Sequence, residues 1–134
     1  MVEESGFKKE ELAKVLGNSY SPFSKFKVAA CIESKAGDFY YGCNVENSTI
    51  GATICAERTG IVKMISTEGP KAQIERVYIL SETEEPISPC GICRQSIFEF
   101  VEVDADIEII SFSKDFKQEK LYKLSVLFPD GFRL

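Results

Sequence analysis

Cys55-Ala56-Glu57-Arg58-Thr59-Gly60-Ile61-Val62-Lys63-Met64-Ile65 and, further on, Pro89-Cys90-Gly91-Ile92-Cys93-Arg94 decide how this chain is read. In the first stretch Ala56, Ile61, Met64 and Ile65 recur at helical spacing, and Gly69-Pro70 closes the segment. In the second, Pro89 precedes another helical pattern that runs from Cys90 to Val101. Ile74 to Leu80 between them, and Ile107 to Phe112 after them, are apolar runs of strand length. Polar residues 81–89, with Pro86 and Pro89, form the loop that leads into the later helix.

Phe7, Leu12, Val15 and Leu16 predict a first helix over 7–16, stopped by Gly17-Asn18. Phe26 to Ile32 and Phe39 to Val45 flank Lys35-Ala36-Gly37-Asp38 and predict a β-hairpin, followed by a loop over 46–54. Toward the end, a short strand over 116–122 and a helical turn over 123–128 precede Pro129-Asp130-Gly131. Helix, hairpin, helix, strand, helix, strand is the order of an α/β protein. It predicts one domain over 1–134, built as three layers with a mixed β-sheet covered by helices. The sequence contains no internal repeat.

With 134 residues, 44% hydrophobic and 28% charged, the chain has the composition of an ordinary globular domain. A net charge of -5 argues against a protein whose main task is gripping a phosphate backbone, and favours a small, uncharged substrate. Met1 to Glu11 lacks the apolar core of a signal peptide, and no segment approaches membrane-spanning length. A cytoplasmic location follows. In that reducing setting the five cysteines are expected to be metal ligands, catalytic groups or small buried apolar residues, not disulfides.

Cys55 and the Cys90/Cys93 pair each stand at a predicted helix start, and the chain has no histidine. Exposed N–H groups and the helix dipole favour thiolate there, and thiolate is a strong ligand for zinc. Cys55, Cys90 and Cys93 are therefore expected to hold one zinc ion with water in the fourth position. Glu57 lies two residues beyond Cys55, close enough to exchange protons with that water, whose pKa zinc lowers to about 7. Two other readings stay open: a closed structural site that draws in Cys43 or Cys31, and a Cys90/Cys93 redox pair.

Four motifs in order resemble the cytidine deaminase family, in its small form with three cysteine ligands. They are Ser19-Tyr20-Ser21-Pro22-Phe23-Ser24-Lys25-Phe26, Gly42-Cys43-Asn44-Val45-Glu46-Asn47, Cys55-Ala56-Glu57-Arg58 and Ser88-Pro89-Cys90-Gly91-Ile92-Cys93-Arg94-Gln95. The resemblance spans nearly the whole chain, and its zinc and glutamate pattern is one already described for zinc deaminases. It implies hydrolytic deamination of cytidine and deoxycytidine in pyrimidine salvage. In that chemistry a zinc-bound hydroxide attacks C4 and Glu57 carries the proton to N3.

The resemblance also implies substrate contacts at Phe26, Asn44, Glu46, Ala56 and Phe132. Asn44 and Glu46 would take ribose hydroxyls, and residues two apart on a strand do share a face. Arg58 matches an arginine that donates to the zinc thiolates, offsetting the net negative charge that three thiolates leave on the metal; Arg94 is a second candidate. A homotetramer with shared active sites is implied, with Phe132 reaching a neighbouring subunit's base pocket. Two positions depart from the family: Ala29-Ala30-Cys31 stands where Gly-Ala-Ala is usual, and Ile50 replaces a tyrosine. A deaminase of blasticidin S or another aminopyrimidine nucleoside, and a non-enzymatic zinc module, are the competing functions.

Overall fold

Every residue of the first strand, β1 (Val28–Ser34), is buried, so both of its faces must be covered. Val28, Ala30 and Ile32 join one apolar cluster with Val77, Ile79 and Ile109, while Ala29 and Cys31 join another with Tyr78, Leu80 and Ile110. That alternation is the period of two expected of a pleated strand and gives the molecule a helical layer on each side of one sheet. The computed structural model describes residues 6–134, so the first five residues of the leading stretch Met1 to Glu11 lie outside it.

The sheet runs in the order β2 (Phe39–Cys43), β1, β3 (Ile74–Ser81), β4 (Glu108–Phe112), β5 (Glu119–Lys123). Only the β3–β4 pair is parallel; β1–β2, β1–β3 and β4–β5 are antiparallel. Helix α1 (Lys9–Leu16) covers one face, with Leu12 buried and Phe7, just before the helix, stacked on Tyr78 at 3.9 Å between ring centres. Helices α2 (Ala56–Glu68), α3 (Gly91–Glu99) and α4 (Leu124–Leu127) follow in the chain; Ile61, Met64, Ile97 and Leu124 bury themselves in the cluster on the other face. The three-layer mixed sheet read from the sequence is the architecture found.

Two glycines let α2 approach the hairpin closely. A Cβ on Gly42 of β2 would stand 2.8 Å from the backbone nitrogen of Gly60 and 2.9 Å from Thr59 Cβ. One on Gly60 would stand 2.8 Å from Ile32 Cγ1. The helix that carries Cys55 at its N-terminal boundary therefore rests almost backbone to backbone on the sheet.

One row of charges crosses four strands. Glu33, Arg76, Glu108 and Lys123 are register partners in turn, alternating in sign. Arg76 Nη1 lies 3.1 Å from Glu33 and its Nε 3.4 Å from Glu108, with Lys123 at 3.7 Å from Glu108. The buried Glu33 carboxylate also accepts a hydrogen bond from the Tyr78 hydroxyl at 2.8 Å. At the edge, β5 is solvent-facing along nearly its whole length.

Several boundaries differ from the sequence reading. The hairpin strands begin at Val28 and end at Cys43, because the Asn44 side chain takes the Phe26 carbonyl and the Val28 N–H, and Val45 pairs instead with Tyr20 and Ile54. The last strand starts at Glu119, since Asp115 and Phe116 adopt positive φ in a short 3-10 turn. Helix α2 continues to Glu68 and stops at Gly69, whose φ of 98° lies in the left-handed region that suits glycine.

Candidate metal centre and active site

Cys55 is the N-cap of α2 and Cys90 the N-cap of α3, with Cys93 in the first turn of α3. Their three sulfurs lie within 4.8 Å of one another, and Cys55 and Cys90 are 3.9 Å apart. Among the described residues this is the single group of three such donors close enough to share a metal ion. Cys43 and Cys31 stand outside it; burial pushes the Cys31 thiol up to about 12, as befits an apolar filler on the α1 face. None of the five cysteines forms a disulfide.

Three converging thiols with no fourth protein ligand among the described residues fit zinc with one open position. The arginine beside them fits as well. Arg58 Nη2 donates to the Thr53 carbonyl at 3.1 Å and lies 3.9 Å from Cys55 Sγ, while its Nε is buried with no acceptor among the described residues. The Cys55 thiol is lowered, first by the hydrogen bond from Cys93 and then by Arg58 and Cys90, against the opposing effect of burial. The Cys93 thiol is raised by the same contact.

Glu57 sits in the first turn of α2, 4% exposed. Burial lifts its carboxyl to about 7, the Cys55 charge adds to the rise, and its backbone N–H, Arg58 and the Cys93 thiol oppose it. A carboxyl poised near neutrality beside a cluster of metal ligands can both take and return a proton. Ala56, fully buried, precedes it at the start of the helix.

Asn44 and Glu46 flank Val45, whose backbone bridges Tyr20 and Ile54. Asn44 is buried: its Oδ1 accepts from Ser19 Oγ at 2.5 Å and Val28 N–H at 3.0 Å, and its Nδ2 donates to the Phe26 carbonyl at 2.7 Å. Glu46 Oε1 accepts from the N–H groups of Phe23 and Ser24, at 2.9 and 3.1 Å, and Oε2 from the Ser24 hydroxyl. Phe26 is 40% exposed, and Phe132 65%. Arg94, the other candidate donor to sulfur, hydrogen-bonds instead to the carbonyls of Pro89 and Leu127 and to Ser88 Oγ, tying the metal loop to the C-terminal segment.

Residues 7–106 match the model of the cytidine and deoxycytidylate deaminase zinc-binding region. The chain belongs to this deaminase family. It is 40% identical over 124 residues to the cytidine deaminase of Mycoplasma pneumoniae, covering 92% of this chain and 90% of that one. To the cytidine deaminase of Sporosarcina psychrophila it is 37% identical over 114 residues, 85% of this chain and 82% of the relative. The crystal structure of cytidine deaminase from Burkholderia pseudomallei superposes with a TM-score of 0.79 at 28% identity, covering 94% of this chain and all of that one, 100%.

Membership in the deaminase family accounts for the zinc-binding thiols; the sequence reading included Ser19 and Ser24 in a family motif but gave no role to these hydroxyls, which hold Asn44 and Glu46. Their signal was the run of serines in the turn-rich segment 19–26, which composition alone reads as a loop.

Proposed function

We propose that this deaminase hydrolyses cytidine and deoxycytidine to uridine and deoxyuridine, releasing ammonia, in pyrimidine salvage in the cytoplasm. The observation that carries the reading is Glu57, buried at the helix start beside three convergent thiols and lifted toward neutral pH by that burial. A structural zinc site has no need of such a carboxyl.

Cys55, Cys90 and Cys93 would hold the zinc, which when bound supplies the Lewis acidity that makes water a nucleophile near neutral pH. Glu57 takes a proton from the attacking water and returns it to ring N3 as the oxygen bonds to C4; the proton left on that oxygen then passes to the 4-amino group, the C4–N bond breaks, and ammonia leaves behind a C4 carbonyl. Arg58 offsets thiolate charge. Asn44 and Glu46 hold the sugar, while Ala56 and Phe26 line the base. Exposure of the Phe132 ring supports a reach into a neighbouring subunit, and so a homotetramer with shared sites. Among the described residues no helix is long and apolar enough to cross a membrane.

The test is ultraviolet absorbance of the purified protein with cytidine, together with a zinc determination and light scattering on the same sample. Loss of the cytosine chromophore with about one zinc per chain is expected. Turnover of blasticidin S to the exclusion of cytidine, or zinc with no turnover of any aminopyrimidine nucleoside, would overturn the reading.

A further inference from the structure

Ser24 has no place in the chemistry above, yet its hydroxyl joins two groups that do. It donates to Glu46 Oε2 and accepts from the Phe26 N–H at 3.0 Å. The turn around it is held in an uncommon shape: Lys25 has a φ of 61° and returns its N–H to the Ser21 carbonyl at 3.0 Å. A non-glycine residue there is strained and persists when its surroundings fix it. What fixes this turn is the Glu46 carboxylate, which collects three donors from Phe23 and Ser24.

A carboxylate offers about four acceptor positions. Three on Glu46 are filled from within the chain, which leaves one, on Oε2, for a ligand. Ser24 and Glu46 line an open cleft together with Phe23, Asn47, Ile50 and Thr53, so a molecule bound in that cleft would lie beside the Glu46 side chain. The hydrogen bond from Ser24 is also the first cause that keeps the Glu46 carboxyl below its ordinary range, and so ionised.

We propose that Ser24 is a positioning residue for the nucleoside: its hydroxyl fixes the Glu46 carboxylate so that one acceptor position takes a sugar hydroxyl. This rests on Glu46 being a sugar contact. Ser24 acts through Glu46 and touches no reacting atom.

The experiment compares kcat and KM for cytidine in the zinc-loaded wild type, Ser24→Ala, Ser24→Thr, Glu46→Gln and the Ser24→Ala/Glu46→Gln double variant, with thermal midpoint and zinc content recorded for each. Ser24→Ala is expected to raise KM about five- to tenfold, the worth of one net hydrogen bond, with kcat within about twofold of wild type. Ser24→Thr keeps the hydroxyl and should restore KM. In the Glu46→Gln background Ser24→Ala should add little, because the residue it works through is already altered. A wild-type KM for Ser24→Ala beside an impaired Glu46→Gln overturns the role of Ser24 alone, as does a full effect in both backgrounds. A wild-type KM for Glu46→Gln overturns the sugar contact itself, and Ser24 with it.

Discussion

Replacing Gly42 with alanine tests whether the close seat of α2 on the hairpin sets the active site. The new methyl would stand 2.8 Å from Gly60 N, where ordinary contact begins at 3.4 Å, a deficit of about 0.6 Å. Gly60 N is a backbone atom and cannot rotate away, so the helix or the strand must move. Overpacking of this kind costs about 1–3 kcal/mol, while removing a glycine from a strand returns about 0.5–1 kcal/mol. A net loss of about 1–2 kcal/mol remains. With an unfolding entropy of about 2.1 cal/mol/K per residue over 134 residues, each kcal/mol lowers the midpoint by about 4 °C, so a fall of about 4–8 °C is expected. Because α2 carries Cys55 and Glu57 at its start, a shift of about half an ångström should also lower kcat for cytidine about tenfold. Thermal unfolding in zinc-containing buffer and steady-state kinetics measure both. A midpoint within 1 °C of wild type together with normal kcat would show that the hairpin absorbs the methyl and that this contact does not place the site.

Glu57→Gln should retain zinc and fold yet lose about 10²-fold or more in turnover; near-normal turnover would remove Glu57 from the proton transfer. Arg76→Met strips Glu33 and Glu108 of their shared cation. Because Arg76 is partly exposed, its loss should cost about 1–2 kcal/mol in urea unfolding, less than a fully buried pair would, and an unchanged midpoint would argue that the row is ornamental. Tyr40 is held up at about 12, first by its hydrogen bond to Glu68 and then by burial. A group with its folded pKa raised stabilises fully below its unfolded value, about 10, and loses that contribution as pH rises through 12. Tyr40→Phe should therefore flatten the loss of stability between pH 10 and 12, and a curve parallel to wild type would count against the bond.

Elements with one clear period were legible in the sequence. The core strands and the three longer helices follow from Val28–Ile32, Ile74–Leu80 and the spacing of Ile61 and Met64, because burial on a sheet face or helix stripe leaves its mark in residue type. The candidate metal ligands were legible for a chemical reason: three cysteines at two helix starts, with a glutamate two residues beyond the first and no histidine in the chain, suit a zinc site better than a redox pair, which would leave Cys55 and Glu57 unused. What stayed hidden depends on contacts across the chain. Nothing local to Val45 says that it will leave its strand partner for Tyr20 and Ile54. Asn44 looks like a polar strand residue, yet it is buried by a serine from a distant loop and two backbone groups. Arg94, four residues after Cys90, gives no hint that its guanidinium turns to Leu127.

The exposed last strand has a further effect on how this protein behaves in company. An open sheet edge offers unpaired N–H and C=O groups to any passing chain, the first step toward fibrous aggregates. β5 reads Glu119-Lys120-Leu121-Tyr122-Lys123, and an incoming strand would have to strip water from its charged side chains. At the opposite edge Lys63 reaches from α2 to the Tyr41 carbonyl of β2 and takes up part of the template there. Edge-to-edge pairing of folded chains, the first step toward cross-β order, is thus opposed at both margins of the sheet.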